Sequence, residues 1–400
     1  MRDTSNFRTK TKFLKRDNGK IPGQWLIALD IGYSGVKIES PNIVARFPSY
    51  AKKVESDLAF AGEVSEKTIL YKDLDTNEMW LVGEVAQNIM SANDTTDSET
   101  SLYGREWFRS PMFKVLADVG YGIAMQKAEF TNNNGENYTV EPQVDDRIIV
   151  QTGLPEKYMA NTEEMQEVLS GRRHFAIKIG TGEWKNYDKE IFEKNIYVMS
   201  QPKGTLFSVC IDKNKKFHPD AKKYMSKSCI IFDAGFGTLD IFPIKSGVVG
   251  KGETYPDLGM KRVLQITTAG IKQQFDVDIP VPAMQKYLET GTVRYKSRKK
   301  AQFVSKEFSF GDILAKASED VCDEAIERMS NVLDLLEYDY MIVTGGTGAA
   351  WFNHIKEIFK DFETLQIIQG NQNDDLPFVY ANVRGYYNFR YNKLIMAMAS

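Results

Sequence analysis

The sequence predicts an α/β protein built from two copies of one plan, and three observations predict it. A short acidic hairpin occurs twice, as "WLIALDIGYSGVKI" from Trp25 and as "CIIFDAGFGTLDI" from Cys229. Laying Leu26 on Cys229 pairs the two without a gap: Asp30 falls on Asp233, Gly32 on Gly235, Tyr33 on Phe236 and Ile38 on Ile241. In both halves, strand-like apolar runs alternate with segments of helical period, the pattern of a sheet with helices on its faces. At 400 residues the chain is also long for one core, and a duplicated domain accounts for that length.

Taken in order, residues 1–23 lack sustained periodicity and end in Pro-Gly. They carry seven Lys/Arg against two Asp, about +5, and read as a mobile extension or as a docking arm for a partner. From Gln24 to Ile43 the pattern is strand, turn, strand. "EMWLVGEVAQNI" is a strand leading into a helix, and "SANDTTDSETS" over 91–101 is a polar, mobile loop. "SPMFKVLADVGYGIAMQKAEF" has helical spacing, with Ser110 as N-cap and Pro111 at the first helical position. "DRIIVQTGLP" is a buried strand closed by Gly153 and Pro155, and "WKNYDKEIFEKNIYVMSQP" reads as strands.

The second half repeats this. After the second hairpin comes a helix over "GMKRVLQITTAGIKQQF", then the basic run at 294–300, read as a solvated hairpin or helix end, or as a contact between subunits. A long helix, "GDILAKASEDVCDEAIERMSNVLDLL", puts Ile313, Ala317, Val321, Ala325 and Met329 on one face. "YDYMIVTGGTGAAWFNHIKEIF" is strand, glycine turn, helix. The expected domains are 24–200 with 381–400 returning to it, and 201–380.

Composition narrows the chemistry. Hydrophobic residues make up 42% and charged residues 26%, ordinary for a globular protein, and the net charge of -3 argues against direct binding of DNA by bulk electrostatics. No apolar run reaches the roughly 18 residues of a membrane span, and the basic N-terminus has no apolar segment of a secretory signal after it. Cys210, Cys229 and Cys322 show no CxxC spacing and read as reduced structural thiols of a cytoplasmic protein. Three scattered histidines argue against a histidine triad or a zinc site, which leaves carboxylates, amides and glycines to carry any reaction.

The first hairpin offers such a set. Asp30 ends a strand of core residues and is expected to face outward, and Gly32 and Gly35 are expected to turn with positive φ and open backbone N–H groups to a ligand. Tyr33 and Ser34 fill the turn, and Lys37 can reach back as a point charge. An acid, bare amides and a lysine suit a phosphate and its metal ion. In the second hairpin Asp233 again ends an apolar strand, Gly235, Phe236 and Gly237 form the turn, and Thr238 adds a hydroxyl. If the halves face one another, two hairpins clamp a polyphosphate and two carboxylates hold a hydrated Mg²⁺. A third piece, Gly345, Gly346, Thr347 and Gly348, sits between a strand and a helix start, where backbone can receive a base or an anion. A Rossmann dinucleotide site is the competitor, but the run lacks the later glycine of GxGxxG and lies too near the C-terminus.

The order of these three motifs resembles the superfamily of actins, heat-shock ATPases and sugar kinases. "LDIGYSGVK" resembles its first phosphate motif, "FDAGFGTLD" its second and "VTGGTGA" its adenosine motif, over about residues 25–385. "IIVQTGLPEKY" and "FPSY" are similar to the plasmid-segregation actins of the ParM type. The resemblance implies an actin-like fold, two duplicated ribonuclease H-like domains around a nucleotide cleft. It implies binding of ATP or GTP with Mg²⁺, and slow hydrolysis. It also places Gln201, in "YVMSQPKG", where the family has the Gln or Glu that orients the attacking water; an amide positions but is a poor general base. Phe236 departs from actin itself, which has an acid there. The ParM branch implies a filament homopolymer, with a DNA-binding adaptor protein joining it to a plasmid centromere. A cell-shape or scaffold actin is the nearer alternative, and a small-molecule kinase the alternative of another class.

Overall fold

The computed structural model describes residues 3–55, 64–89, 107–299 and 302–399, and the chain divides into two compact units. Unit I takes in the described parts of residues 10–87, 100–226 and 370–400, and unit II those of 1–9, 88–99 and 227–369. The polar loop expected at 91–101 lies outside the described residues.

Unit I is organised by a six-stranded sheet. Its order is β1 (Lys12–Lys15), β4 (Ile43–Pro48), β3 (Gly35–Ser40), β2 (Gln24–Ile31), β10 (Arg147–Leu154) and β13 (Ile196–Ser200). The strands β1 to β4 pair antiparallel, whereas β10 runs parallel to β2 and β13 parallel to β10. A second, antiparallel sheet has the order β12 (Lys185–Ile191), β11 (Gly171–Ile179), β6 (Ile69–Asp73), β7 (Met79–Val82) and β5 (Ala51–Val54). A separate hairpin joins β8 (Ala128–Thr131) to β9 (Asn137–Val140).

The helices of this unit are α1 (Glu84–Ile89, whose last two residues fall in unit II), α2 (Pro111–Ala124), α3 (Thr162–Leu169), α4 (Gln201–Cys210), α5 (Ala221–Ser226) and, last in the chain, α10 (Ala381–Ala399). The central strand β2 is apolar from Trp25 to Leu29 because both of its faces are buried. Trp25, Ile27 and Leu29 join one core with α2, and Leu26 and Ala28 join another with Tyr386 and Tyr387 of α10. The start of α2 is as expected: the Ser110 hydroxyl accepts from the Phe113 N–H at 3.1 Å.

Two expectations about organisation differ from the structure. Of the expected extension, residues 3–23 are built into the fold: β1 extends the sheet, its Phe13 and Leu14 packing on the two cores while Lys12 and Lys15 stay exposed. The lysines conceal the strand in the sequence. Arg16 then pairs with Asp374 at 2.7 Å, and in unit II the Thr4 hydroxyl donates to the Leu288 carbonyl at 2.7 Å. The expected break at residue 201 also moves, because α4 and α10 cross in close contact. A Cβ on Gly385 would stand 1.7 Å from the Gly204 carbonyl oxygen, and the Arg384 guanidinium donates to the carbonyls of Ser208 at 2.8 Å and Ile211 at 2.9 Å.

Unit II repeats the plan. Its sheet has the order β16 (Val248–Val249), β15 (Leu239–Lys245), β14 (Ser228–Ala234), β20 (Tyr340–Thr344) and β21 (Gln366–Gln369), with β17 (Glu253–Tyr255) also on β15. As in unit I, the first strand of an antiparallel hairpin pairs on its other side with a parallel strand that arrives much later in the chain. Around it lie α6 (Met260–Phe275), α7 (Val281–Tyr287), α8 (Gly311–Ser330) and α9 (Gly346–Ile358). On α8 the residues Ala317, Val321, Ala325 and Met329 are buried and Ile313 half-buried. The basic run opens in the hairpin of β18 (Thr292–Lys299) and β19 (Gln302–Ser309), where exposed Arg294 pairs with Glu307 at 3.1 Å. Cys210, Cys229 and Cys322 are buried and free, and burial pushes the Cys229 thiol up to about 12. No helix among the described residues is long and apolar enough to cross a membrane.

Candidate functional site

Each unit carries one of the acidic hairpins, and each is held by its own sheet. In unit I, β2 delivers Asp30 opposite Lys37 of β3, and the ammonium lies 3.0 Å from the carboxylate. Asp30 is therefore not outward-facing as expected but 5% exposed, its charge half answered by the lysine. The turn is tied down locally. Gly32 N–H donates to the Gly35 carbonyl at 3.2 Å, the Ser49 hydroxyl donates to the Gly32 carbonyl at 2.6 Å, and Ser49 N–H to the Ser34 carbonyl at 3.2 Å. Tyr33 packs its ring partly on the core beneath the sheet.

Glycine serves here for space and not for dihedral freedom. Among the described residues neither Gly32, Gly35, Gly235 nor Gly237 has positive φ. A Cβ on Gly32 would stand 3.1 Å from the Lys37 Nζ, so a side chain would crowd the ion pair.

The end of β13 brings Gln201 to the same sheet edge. Register pairs Leu154 of β10 with Ser200, and Gln151 of β10 with Ala28 of β2, so the three strands present their C-terminal ends side by side. Gln201 opens α4 directly after Ser200, and both it and Lys37 are half-buried. Pro202 stands within the first turn, where its missing N–H costs nothing.

In unit II, Asp233 is the penultimate residue of β14 and is 7% exposed. The position under Lys37 is taken by Asp240, which pairs in register with Asp233. Asp240 is buried and accepts from the hydroxyls of Thr238 at 2.9 Å and Thr254 at 2.6 Å. The two hairpins thus differ in charge: one offers an acid with a lysine, the other two acids and hydroxyls. The turn of Gly235, Phe236 and Gly237 rests on the start of α6. Met260 N–H donates to the Gly235 carbonyl at 3.3 Å and Lys261 N–H to the Phe236 carbonyl at 2.8 Å.

The third motif packs onto the second. Register sets Asp233 beside Thr344, Gly345 follows with φ of 83°, and Gly346 begins α9. A Cβ on Gly345 would stand 2.2 Å from the Ala234 carbonyl oxygen and 2.7 Å from Asp233 Oδ1, so only glycine fits. The Thr347 hydroxyl donates to the Gly235 carbonyl at 2.6 Å, and Gly348 lies against Val343. Asp233, Gly235, Gly345 and Thr347 are therefore one cluster. Sequence reading missed Ser49, Asp240, Thr254 and Gly259, at which a Cβ would stand 2.7 Å from the Phe236 carbonyl oxygen. Only Asp240 had a signal, since the same alignment of hairpins places it under Lys37.

Comparison with known proteins agrees with this architecture. Residues 28–204 match the family model for the N-terminal domain of actin-like proteins. Among solved structures, the chain is similar to a non-polymerisable quadruple mutant of pCBH ParM, with 22% identity and a TM-score of 0.65 over 92% of this chain and 99% of that one. It is similar to a ParM in a 15-stranded filament from Clostridium botulinum, with 20% identity and a TM-score of 0.63 over 92% and 99%. An archaeal actin homologue in complex with ADP aligns at 13% identity and a TM-score of 0.59 over 92% and 100%. No curated protein sequence matches the chain. The chain has the actin-like fold, and its residues 28–204 match the model of the actin-like protein N-terminal domain.

Proposed function

We propose that this protein is a ParM-type actin-like ATPase that assembles into nucleotide-dependent filaments and serves plasmid DNA segregation. The observation that carries the reading is the repetition of one device in both units: a buried carboxylate at a strand end, followed by a glycine turn. Its support from relatives is that the similar structures include a ParM filament and an actin homologue holding ADP.

The proposed roles follow from the residue chemistry. The backbone of Gly32, Tyr33, Ser34 and Gly35 and of Gly235, Phe236, Gly237 and Thr238 receives phosphate oxygens of ATP, or of GTP. Lys37 contributes positive charge, and the Gly345–Gly348 turn receives the base. Asp30 and Asp233 offer the hard oxygen donors that suit Mg²⁺ through its waters, and that ion would neutralise phosphate charge. Gln201 orients the attacking water by accepting its hydrogen bond, so hydrolysis rests on positioning and is slow. A DNA-binding adaptor protein links the cytoplasmic filament to its plasmid, and the acidic chain itself binds no DNA.

The test is light scattering and pelleting of purified protein after adding Mg-ATP, Mg-ADP or buffer, with Asp233→Ala as control. A rise with ATP that later decays, and that the variant lacks, is the expected result. No assembly in any nucleotide, with ATP consumed only when a small hydroxylated substrate is added, would leave the kinase alternative instead.

A further inference from the structure

Unit I leaves two buried polar atoms without a hydrogen bond at the strand ends that flank Gln201. One is Oε2 of Glu156, which follows Pro155 at the end of β10, and the other is Oγ of Ser200, the last residue of β13. Ser200 is 2% exposed and stands at the N-cap position of α4, yet its hydroxyl makes no capping bond. Buried polar atoms normally have partners, so each orphan calls for an explanation, and a bond made in the ligand-bound state is one.

The backbone register brings Glu156 and Gln201 to the same end of neighbouring strands. The parallel register sets Leu154 opposite Ser200, so Glu156 lies two residues past the paired position on β10 and Gln201 one residue past it on β13. The short 3-10 helix that Glu156 opens, Glu156–Asn161, packs against β13. A carboxylate can only accept, and an amide has two N–H donors and a carbonyl acceptor. An amide that orients water through its carbonyl oxygen must keep that oxygen turned to the substrate. A glutamine whose N–H groups have no fixed acceptor is free to turn either end to the substrate.

We propose that Glu156 is a positioning residue for Gln201: its carboxylate takes a hydrogen bond from the Gln201 amide N–H and so holds the amide carbonyl toward the attacking water. This rests on the ATPase reading above. The covalent step is unchanged. The water oxygen bonds to the γ-phosphorus, the bond to the bridging oxygen breaks, ADP leaves with that electron pair, and the water's proton is released to solvent with the phosphate.

The experiment measures ATP turnover, KM and nucleotide affinity by fluorescence for the full chain, Glu156→Ala, Glu156→Gln, Gln201→Ala and the double variant Glu156→Ala/Gln201→Ala. Glu156→Ala is expected to lower turnover by about tenfold or more while nucleotide affinity stays within about twofold. Glu156→Gln keeps an acceptor oxygen and recovers most of the rate. In the Gln201→Ala background, removal of the Glu156 carboxylate changes turnover by less than about twofold, since it acts only through that amide. Losses that multiply independently in the double variant, or an unchanged rate in Glu156→Ala, overturn the proposal. A wild-type chain that hydrolyses no nucleotide overturns the ATPase reading and this proposal together, and that result appears before any variant is compared.

Discussion

Asp374 is gripped by two guanidinium groups, Arg16 at 2.7 Å and Arg384 at 2.5 Å, and its side chain is 1% exposed. Burial raises its pKa, but the Arg16 hydrogen bond and the charges of Arg384 and Arg16 outweigh that, and the carboxyl is held well below the usual range. A depressed folded-state pKa stabilises the fold above the ordinary carboxylate pKa, and the contribution is lost as pH falls toward the folded value. Glu39, close by, has the opposite sign: burial raises its carboxyl, although Lys215 at 3.3 Å, Arg384 and Arg16 pull it down. Its contribution is present at low pH and fades as pH rises. Asp374→Asn is therefore expected to lose about 3 kcal/mol at neutral pH, because it leaves buried guanidinium charge uncompensated. Urea unfolding at pH 7 and at pH 3 checks this, since the gap between variant and wild type should shrink in acid. An equal gap at both pH values would show that packing and not charge holds the site. None of these partners is near Asp374 in sequence except Arg384, so the network was not legible there.

The elements were more readable than the contacts between them. Ser110 signals its cap from the residues that follow it, and Ser110→Ala should cost about 1 kcal/mol of stability by thermal unfolding. Gly204 and Gly385 carry no such signal, because each looks like an ordinary glycine in a helix and the contact joins distant parts of the chain. Gly385→Ala must push α4 away from α10, and we expect about 3 kcal/mol of destabilisation in urea melts, well above the usual helix gain from alanine. A neutral or stabilising outcome would mean that the two helices tolerate separation. Gly345→Ala combines a disfavoured φ with the clash at Ala234, so loss of nucleotide binding is expected along with stability.

For the whole molecule, the actin-like fold and the proposed ATPase make separable demands on Gln201. Hydrolysis needs the oriented water, whereas assembly needs only the nucleotide-bound state. A ligand shifts assembly solely through its different affinity for the two states. Gln201→Ala should therefore lower phosphate release by about 100-fold while ATP still raises light scattering, and the signal should persist instead of decaying. Asp233→Ala should abolish the rise itself. Phosphate release that continues unchanged in Gln201→Ala would remove that residue from the mechanism.

The sequence alone determined the duplicated α/β plan, because strand cores buried on both faces must be apolar throughout and the repeated Asp-x-Gly turn marks where each begins its hairpin. It also determined the start of α2, whose Ser110 cap is local. Tertiary structure alone decided the rest. That residues 12–15 complete a sheet depended on a partner strand at 43–48, and lysines at both ends masked it. That Asp30 is buried depended on Lys37 across the hairpin, and that Gly345 must be glycine depended on the carbonyl of Ala234. Each is a contact between residues separated in the chain, and local pattern carries no information about which distant backbone will press against a given side chain.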